Sequence, residues 1–325
     1  MKILILGAGG MIGRKLVDQL LIVAADGHFP SELILHDIVQ PEMPASECKI
    51  ICLAGNVADP DEVSKLAAMR PDVIYHLAAI VSGEAERDFD KGWNVNMRGG
   101  WHLLEALRKE HMDSGGIYTP RLVFSSSIAV FGGPYPSLIP DDFQCAPQTS
   151  YGAQKAMCEL LVSEYTRKGI VDGLSLRLPT ITVRPGKPNQ AASSFYSGII
   201  REPLNGEEAI LPVPDKTRHW FASPRSAVRF LQHAGNLNTA PLGSSRSLNM
   251  PAVSCTVAQQ IEALRNVAGN EAVKHIVSKP DEDIMRIVGG WPEAFDPKRA
   301  NALGFVAEQN FEEIIRVYLE DDFRK

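Results

Sequence analysis

Tyr151 and Lys155 stand four residues apart in the run YGAQK. On a helix that spacing places both side chains on one face. A free tyrosine, with a pKa of about 10, is a poor base at neutral pH. A lysine ammonium beside it stabilises the phenolate and lowers that value. The pair could then take the proton from a substrate alcohol as the carbinol hydride leaves for an acceptor. Spacing alone is weak support: with seven tyrosines in the chain and lysine at ~6%, roughly a third of comparable chains carry such a pair by chance. The run Ser125-Ser126-Ser127 adds a second feature. A hydroxyl at a strand end can hold a reacting oxygen between itself and Tyr151. The plainer reading is that these serines cap turns, and at most one of the three would be catalytic.

A hydride acceptor has its own signature. Gly7, Gly10 and Gly13 follow an apolar run directly and open a helix near Met11. Such glycines serve a tight turn, close backbone approach to a pyrophosphate, and close helix-on-strand packing. The helix N-terminus at Met11 and Ile12 offers N–H groups and a partial positive charge to the phosphates. Asp37 lies about 20 residues further on, where an acidic side chain accepts hydrogen bonds from an adenosine ribose. It would repel a 2′-phosphate, so NAD is favoured over NADP. Asn56 and Val57 fall where an adenine edge would lie, although Asn56 could equally be a loop cap. The small residues of Leu77-Ala78-Ala79 let the backbone approach the cofactor.

These residues need a scaffold that brings strand ends together. Apolar runs at Lys2–Leu6, Leu33–His36, Lys49–Leu53, Val73–His76, Arg121–Ser125 and Gly173–Leu178 read as strands. Helical spacing recurs from Met11, over Asp59–Met69, as one long helix over Phe89–His111, and over Ser150–Lys168. Alternating strand and helix predict an α/β fold with a doubly wound parallel sheet (Rossmann) over residues 1–180, holding the cofactor and the Ser/Tyr/Lys group. Residues 181–325 predict a smaller, irregular substrate domain with helices at Ser194–Arg201, Pro224–Ala234, Val257–Val267 and Phe311–Leu319, some of its segments returning to the first. Bulk properties narrow the partners. A net charge of -6 argues against nucleic acid, whose phosphates need clustered cations. Five irregularly spaced cysteines argue against a disulfide framework or a zinc site, and no metal is expected. The glycine-filled N-terminus reads as neither signal peptide nor membrane anchor, so a cytoplasmic location is the expectation.

Taken together, the glycine turn, Leu77-Ala78-Ala79, SSSIAVFG at Ser125–Gly132 and YGAQK resemble the extended short-chain dehydrogenase/reductase family over nearly the whole chain. The resemblance implies that the catalytic hydroxyl is Ser127, with Ser126 as fallback, beside Tyr151 and Lys155. It further implies that Asn96 shapes the active-site helix, that Ser125 lines the cofactor, and that Pro179 and Thr180 touch the nicotinamide carboxamide. Two departures stand out. Phe131 replaces a tyrosine, and the stretch RHWFASPRSAV has Arg225 or Ser226 where the family carries an acid. The second departure weakens the case for a nucleotide sugar.

The second half is rich in cations: Arg184, Lys187, Arg218, His219 and Arg225. Each alone reads more readily as a surface charge, but an arginine fork suits a carboxylate. The segments Arg177–Val228 and IMRIVGGWP are similar to a branch of the family that oxidises a small sugar acid at C2 with NAD. That likeness implies Ser82, Ser127 and Tyr151 around the alcohol, and Arg184, Arg218 or a neighbouring cation on the carboxylate. The rivals are a nucleotide-sugar 4-epimerase that keeps its NAD, and a non-enzymatic NAD-sensing protein, which the Tyr/Lys pair disfavours. Family members pair through helices matching Phe89–His111 and Ser150–Lys168, so a homodimer is expected.

Overall fold

Five apolar segments line up as parallel strands: β1 (Lys2–Leu6), β2 (Glu32–Asp37), β3 (Lys49–Ala54), β4 (Val73–His76) and β5 (Arg121–Ser127). β6 (Asp172–Leu178) and β7 (Ser247–Asn249) extend the sheet, giving the order β3-β2-β1-β4-β5-β6-β7. This is the doubly wound arrangement. Ile3, Leu4, Ile5 and Leu6 have no solvent exposure, as expected of strands covered on both faces. The chain order reverses between β1 and β4, and in such sheets ligands bind outside the carboxyl ends of the strands at that point. The computed structural model describes residues 1–23, 30–186 and 191–323.

The helices that flank the sheet are α1 (Met11–Val23), α2 (Pro60–Ala68), α3 (Gly99–Asp113) and α4 (Ser150–Arg167). Local chemistry starts two of them. The Asp59 carboxylate caps α2 ahead of Pro60, and Thr149 Oγ1 accepts from Gly152 N at 3.1 Å at the head of α4. Leu103, Leu104 and Leu107 of α3 and Cys158 and Val162 of α4 close on Leu4, Leu6, Ile74 and Phe124. Each such buried side chain contributes about 1.5–3 kcal/mol.

The single long helix expected over Phe89–His111 is instead three pieces. A short helix, Phe89–Gly92, runs through a π-helical turn, Trp93–Arg98, into α3. The wider turn accompanies an inward Asn96, whose amide hydrogen-bonds Ile80 and Gln154. Gly99 and Gly100 follow where a Cβ would come within 3.1 Å of Val57 O and 3.0 Å of Cys158 Sγ.

The chain forms two compact units, residues 1–130, 147–177 and 228–248, and residues 131–146, 178–227 and 249–325. Residues 228–248 return to the first unit, whereas residues 131–146 and 178–180, expected in the first domain, fall in the second unit. The second unit contains a three-stranded sheet of Thr180–Ile181, Arg218–Ala222 and Val253–Thr256. Its helices Ser194–Leu204, Val257–Ala268 and Phe311–Asp321 enclose Tyr196, Ile199, Phe221, Leu264 and Ile314. Among the described residues no helix is long and apolar enough to cross a membrane, and no cluster of His, Cys, Asp or Glu could hold a metal ion.

Candidate active site

The turn after β1 is built so that a side chain has no room. Gly7 has φ +89°, and a Cβ there would lie 2.6 Å from Ala78 N; one on Gly13 would lie 2.1 Å from Gly7 O. Both neighbours are backbone, so neither glycine can be replaced without moving the chain. Gly10 differs: it is exposed, and a Cβ there would meet Gly7 O at an ordinary 3.4 Å. The fold itself does not require a glycine there. Asp37 closes the turn from β2, its carboxylate accepting from Gly9 N at 2.9 Å and from Ile38 N at 2.7 Å. With the N-terminus of α1 at Met11 and Ile12, the cradle suits a dinucleotide pyrophosphate. Leu77, Ala78 and Ala79 leave β4 beside it. Two neighbours also serve the fold: Val57 is buried in the core, and Asn56 Oδ1 accepts from Ala58 N at 3.0 Å as a loop cap.

Lys155 is 1% exposed, and its ammonium donates to Ser125 O at 2.7 Å. The Nζ sits 4.6 Å from the Phe124 ring centre and 5.6 Å from that of half-buried Tyr151. Burial pulls the lysine pKa down to about 8, against the smaller raising effects of Cys158 and Glu159. The ammonium therefore still predominates at neutral pH. His76, one strand over, is pushed down to about 3 by burial and by Lys155, and is neutral.

The three serines separate by strand alternation. Ser125 Oγ donates to His76 O at 2.9 Å. Ser126 is buried and donates to Glu159 Oε1 at 2.5 Å. Ser127 is half-buried and accepts from Ala129 N at 3.1 Å, a bond that does not commit its own O–H. Asn96 Oδ1 accepts from Ile80 N at 2.7 Å while its Nδ2 donates to Ile80 O and Gln154 Oε1 at 3.1 and 2.8 Å. It thus ties α4 to the segment leading into the helix Ser82–Arg87. Sequence reasoning overlooked Gln154, which the Y-x-x-x-K spacing treats as a spacer.

In the second unit, Thr180 Oγ1 lies 2.6 Å from His219 Nε2, and His219 Nδ1 lies 2.9 Å from Pro292 O. A carbonyl only accepts, so Nδ1 carries the proton and Thr180 donates to Nε2. Burial lowers the His219 pKa to about 4, so it is not the cation the sequence suggested. Arg225 is also removed from the substrate candidates: Asp321 at 2.6 Å and Glu320 at 2.8 Å hold its guanidinium. Arg184 Nε donates to Ile181 O at 2.9 Å, and Arg218 Nη1 to Ser254 O at 3.2 Å. Pro179 is buried beside Thr180. Lys187 lies outside the described residues.

Residues 3–222 match the NAD dependent epimerase/dehydratase family, and the chain belongs to that family. It is an NAD-dependent enzyme of the oxidoreductase type. It is 43% identical to a D-erythronate dehydrogenase of Haemophilus influenzae over 99% of this chain and 100% of the relative. A D-erythronate dehydrogenase of Cupriavidus necator is 44% identical, with 99% and 98% covered. Among solved structures, a nucleoside-diphosphate-sugar epimerase from Agrobacterium tumefaciens superposes with a TM-score of 0.96 at 54% identity, over 99% of this chain and 94% of that one.

Proposed function

We propose that the protein oxidises a small sugar acid at its C2 hydroxyl, D-erythronate to 2-dehydro-D-erythronate, with Tyr151 as general base. The observation that carries this reading is the end-to-end similarity to two D-erythronate dehydrogenases. The glycine cradle, Asp37, Leu77-Ala78-Ala79, Ser125, Lys155, Pro179 and Thr180 would hold the cofactor. When bound, NAD supplies the acceptor for the carbinol hydride. Lys155, held by Ser125 O, sets a positive charge beside Tyr151 and favours its phenolate. Tyr151 Oη takes the substrate hydroxyl proton, and Ser127, with Ser82, orients that oxygen. A guanidinium fork, Arg184 or Arg218, takes the carboxylate.

The name of the Agrobacterium structure favours a second reading, a nucleotide-sugar epimerase using the same Ser, Tyr and Lys. Net turnover separates the two. Purified protein, NAD and a panel of four-carbon sugar acids are expected to yield NADH stoichiometrically with D-erythronate. Epimerisation of a nucleotide sugar, with no NADH from any 2-hydroxy sugar acid, would overturn the proposal. We further propose a cytoplasmic homodimer paired through α3 and α4, whose outer faces leave Trp101 43% and Leu160 73% exposed. Light scattering is expected to give twice the chain mass; a monomer at micromolar concentration would refute the pairing.

A further inference from the structure

Tyr151, Lys155 and Glu159 form a stripe along α4, one helical turn apart. Glu159 is 4% exposed, and its carboxylate has three donors from two strands. Ser126 of β5 donates at 2.5 Å; Arg177 of β6 donates through Nε at 3.0 and 3.1 Å and through Nη2 at 2.7 Å. Successive residues of β5 are thus bound to successive turns of one helix, Ser125 O to Lys155 and Ser126 Oγ to Glu159. Stability explains this poorly, because a buried ion pair often costs more than the apolar side chains that could replace it. Placement explains it better: the tie lies between the helix of Tyr151 and the strand end of Ser127.

The charges around Lys155 point the same way. Tyr151, Cys158 and Glu159 face it from α4, His76 from β4, and Ser125 and Phe124 from β5. His76 is neutral, and burial pushes the Cys158 thiol up to about 11, so it is neutral too. Glu159 is the anion in this set, and Arg177 from β6 faces it, not the lysine.

We propose that Glu159 is a positioning residue for the oxidation: through Ser126 it fixes the strand end carrying Ser127 against α4, and its charge sustains the Lys155 ammonium beside Tyr151. The proposal rests on the reading of Tyr151 and Lys155 as the proton-handling pair. Glu159→Gln keeps the shape and an acceptor for Ser126 but removes the charge and strands Arg177. The alkaline limb of the kcat/KM profile, where Lys155 loses its proton, is expected to move to lower pH by about 1 unit, with kcat down about tenfold at the optimum. The rise of Tm with pH, read without substrate, is expected to begin correspondingly earlier. Ser126→Ala cuts the tie and keeps the charge, so kcat falls while the profile stays in place. Should Glu159→Gln fail to fold, Glu159→Gln combined with Arg177→Met removes the stranded cation, and its profile must still move. A wild-type pH profile in a folded Glu159 variant overturns the proposal. If Tyr151→Phe abolishes turnover under those same conditions, the catalytic reading survives and only the role of Glu159 fails.

Discussion

Tyr151→Phe is expected to lower kcat for sugar-acid oxidation by about 10³-fold while changing the Kd for NAD by less than about twofold. The size follows from what a well-placed general base contributes, roughly 10²–10⁴ in rate. The substitution removes a single oxygen. The ring remains, with the Lys155 ammonium 5.6 Å from its centre, and so does the α4 cap at Thr149. In the proposed reading cofactor binding draws on the Gly7–Gly13 turn and Asp37, which the change does not touch. Steady-state NADH formation and a fluorescence titration with NAD check the two halves separately. Turnover within tenfold of wild type would remove Tyr151 as the base. A large loss of NAD affinity would mean that the hydroxyl serves the cofactor more than the substrate.

Lys155→Met is expected to lower turnover to a similar extent and, unlike most changes in a buried core, to make the protein more stable. The lysine is buried, and its pKa falls from 10.5 to about 8, chiefly by burial. Because the folded value lies below the unfolded one, the unfolded chain holds more protons between about pH 8 and 10.5, and stability rises with pH across that window. Below it, the folded state carries the full cost of a buried ammonium, roughly 3 kcal/mol for this displacement. The bond to Ser125 O and the contact with the Phe124 ring are lost in the variant, which leaves a net gain of about 2 kcal/mol. Methionine has the length and flexibility to fill the space. Denaturation at pH 7 and at pH 10.5 tests the origin of the effect: the advantage should be large at the lower pH and vanish at the higher, where the wild-type lysine is neutral. A less stable variant at pH 7 would show that the lysine anchors the site more than it burdens the fold.

Both predictions concern residues whose importance is local, and for that reason they stand out in the chain before any folding. A turn that needs φ +89° at Gly7 and no side chain at Gly13 is completed within seven residues, so its glycines declare it. The Tyr151/Lys155 spacing is one helical turn. Apolar runs of four to seven residues bounded by turn formers mark the strands, and their alternation with helices leaves few ways to wind the sheet. Fold class and cofactor therefore belong to the sequence, and so does the spacing of the proposed catalytic pair.

What the tertiary structure decided depends on partners distant along the chain. Ser126 and Ser127 are chemically identical neighbours. Which of them is buried depends on the phase of β5 against α4, and the partner that commits Ser126 is Glu159, 33 residues away. Arg225 reads as an available cation until the carboxylates of Asp321 and Glu320, 96 and 95 residues on, close around it. His219 reads as a cation until burial, outweighing the bond to Pro292 O that favours the charged ring, holds it neutral. The π-helical turn at Asn96 has no periodicity of its own and answers to Ile80 and Gln154. Periodicity and spacing report what a segment requires of itself; the assignment of charge, proton and hydroxyl among the site residues comes from pairings that exist only once the segments meet.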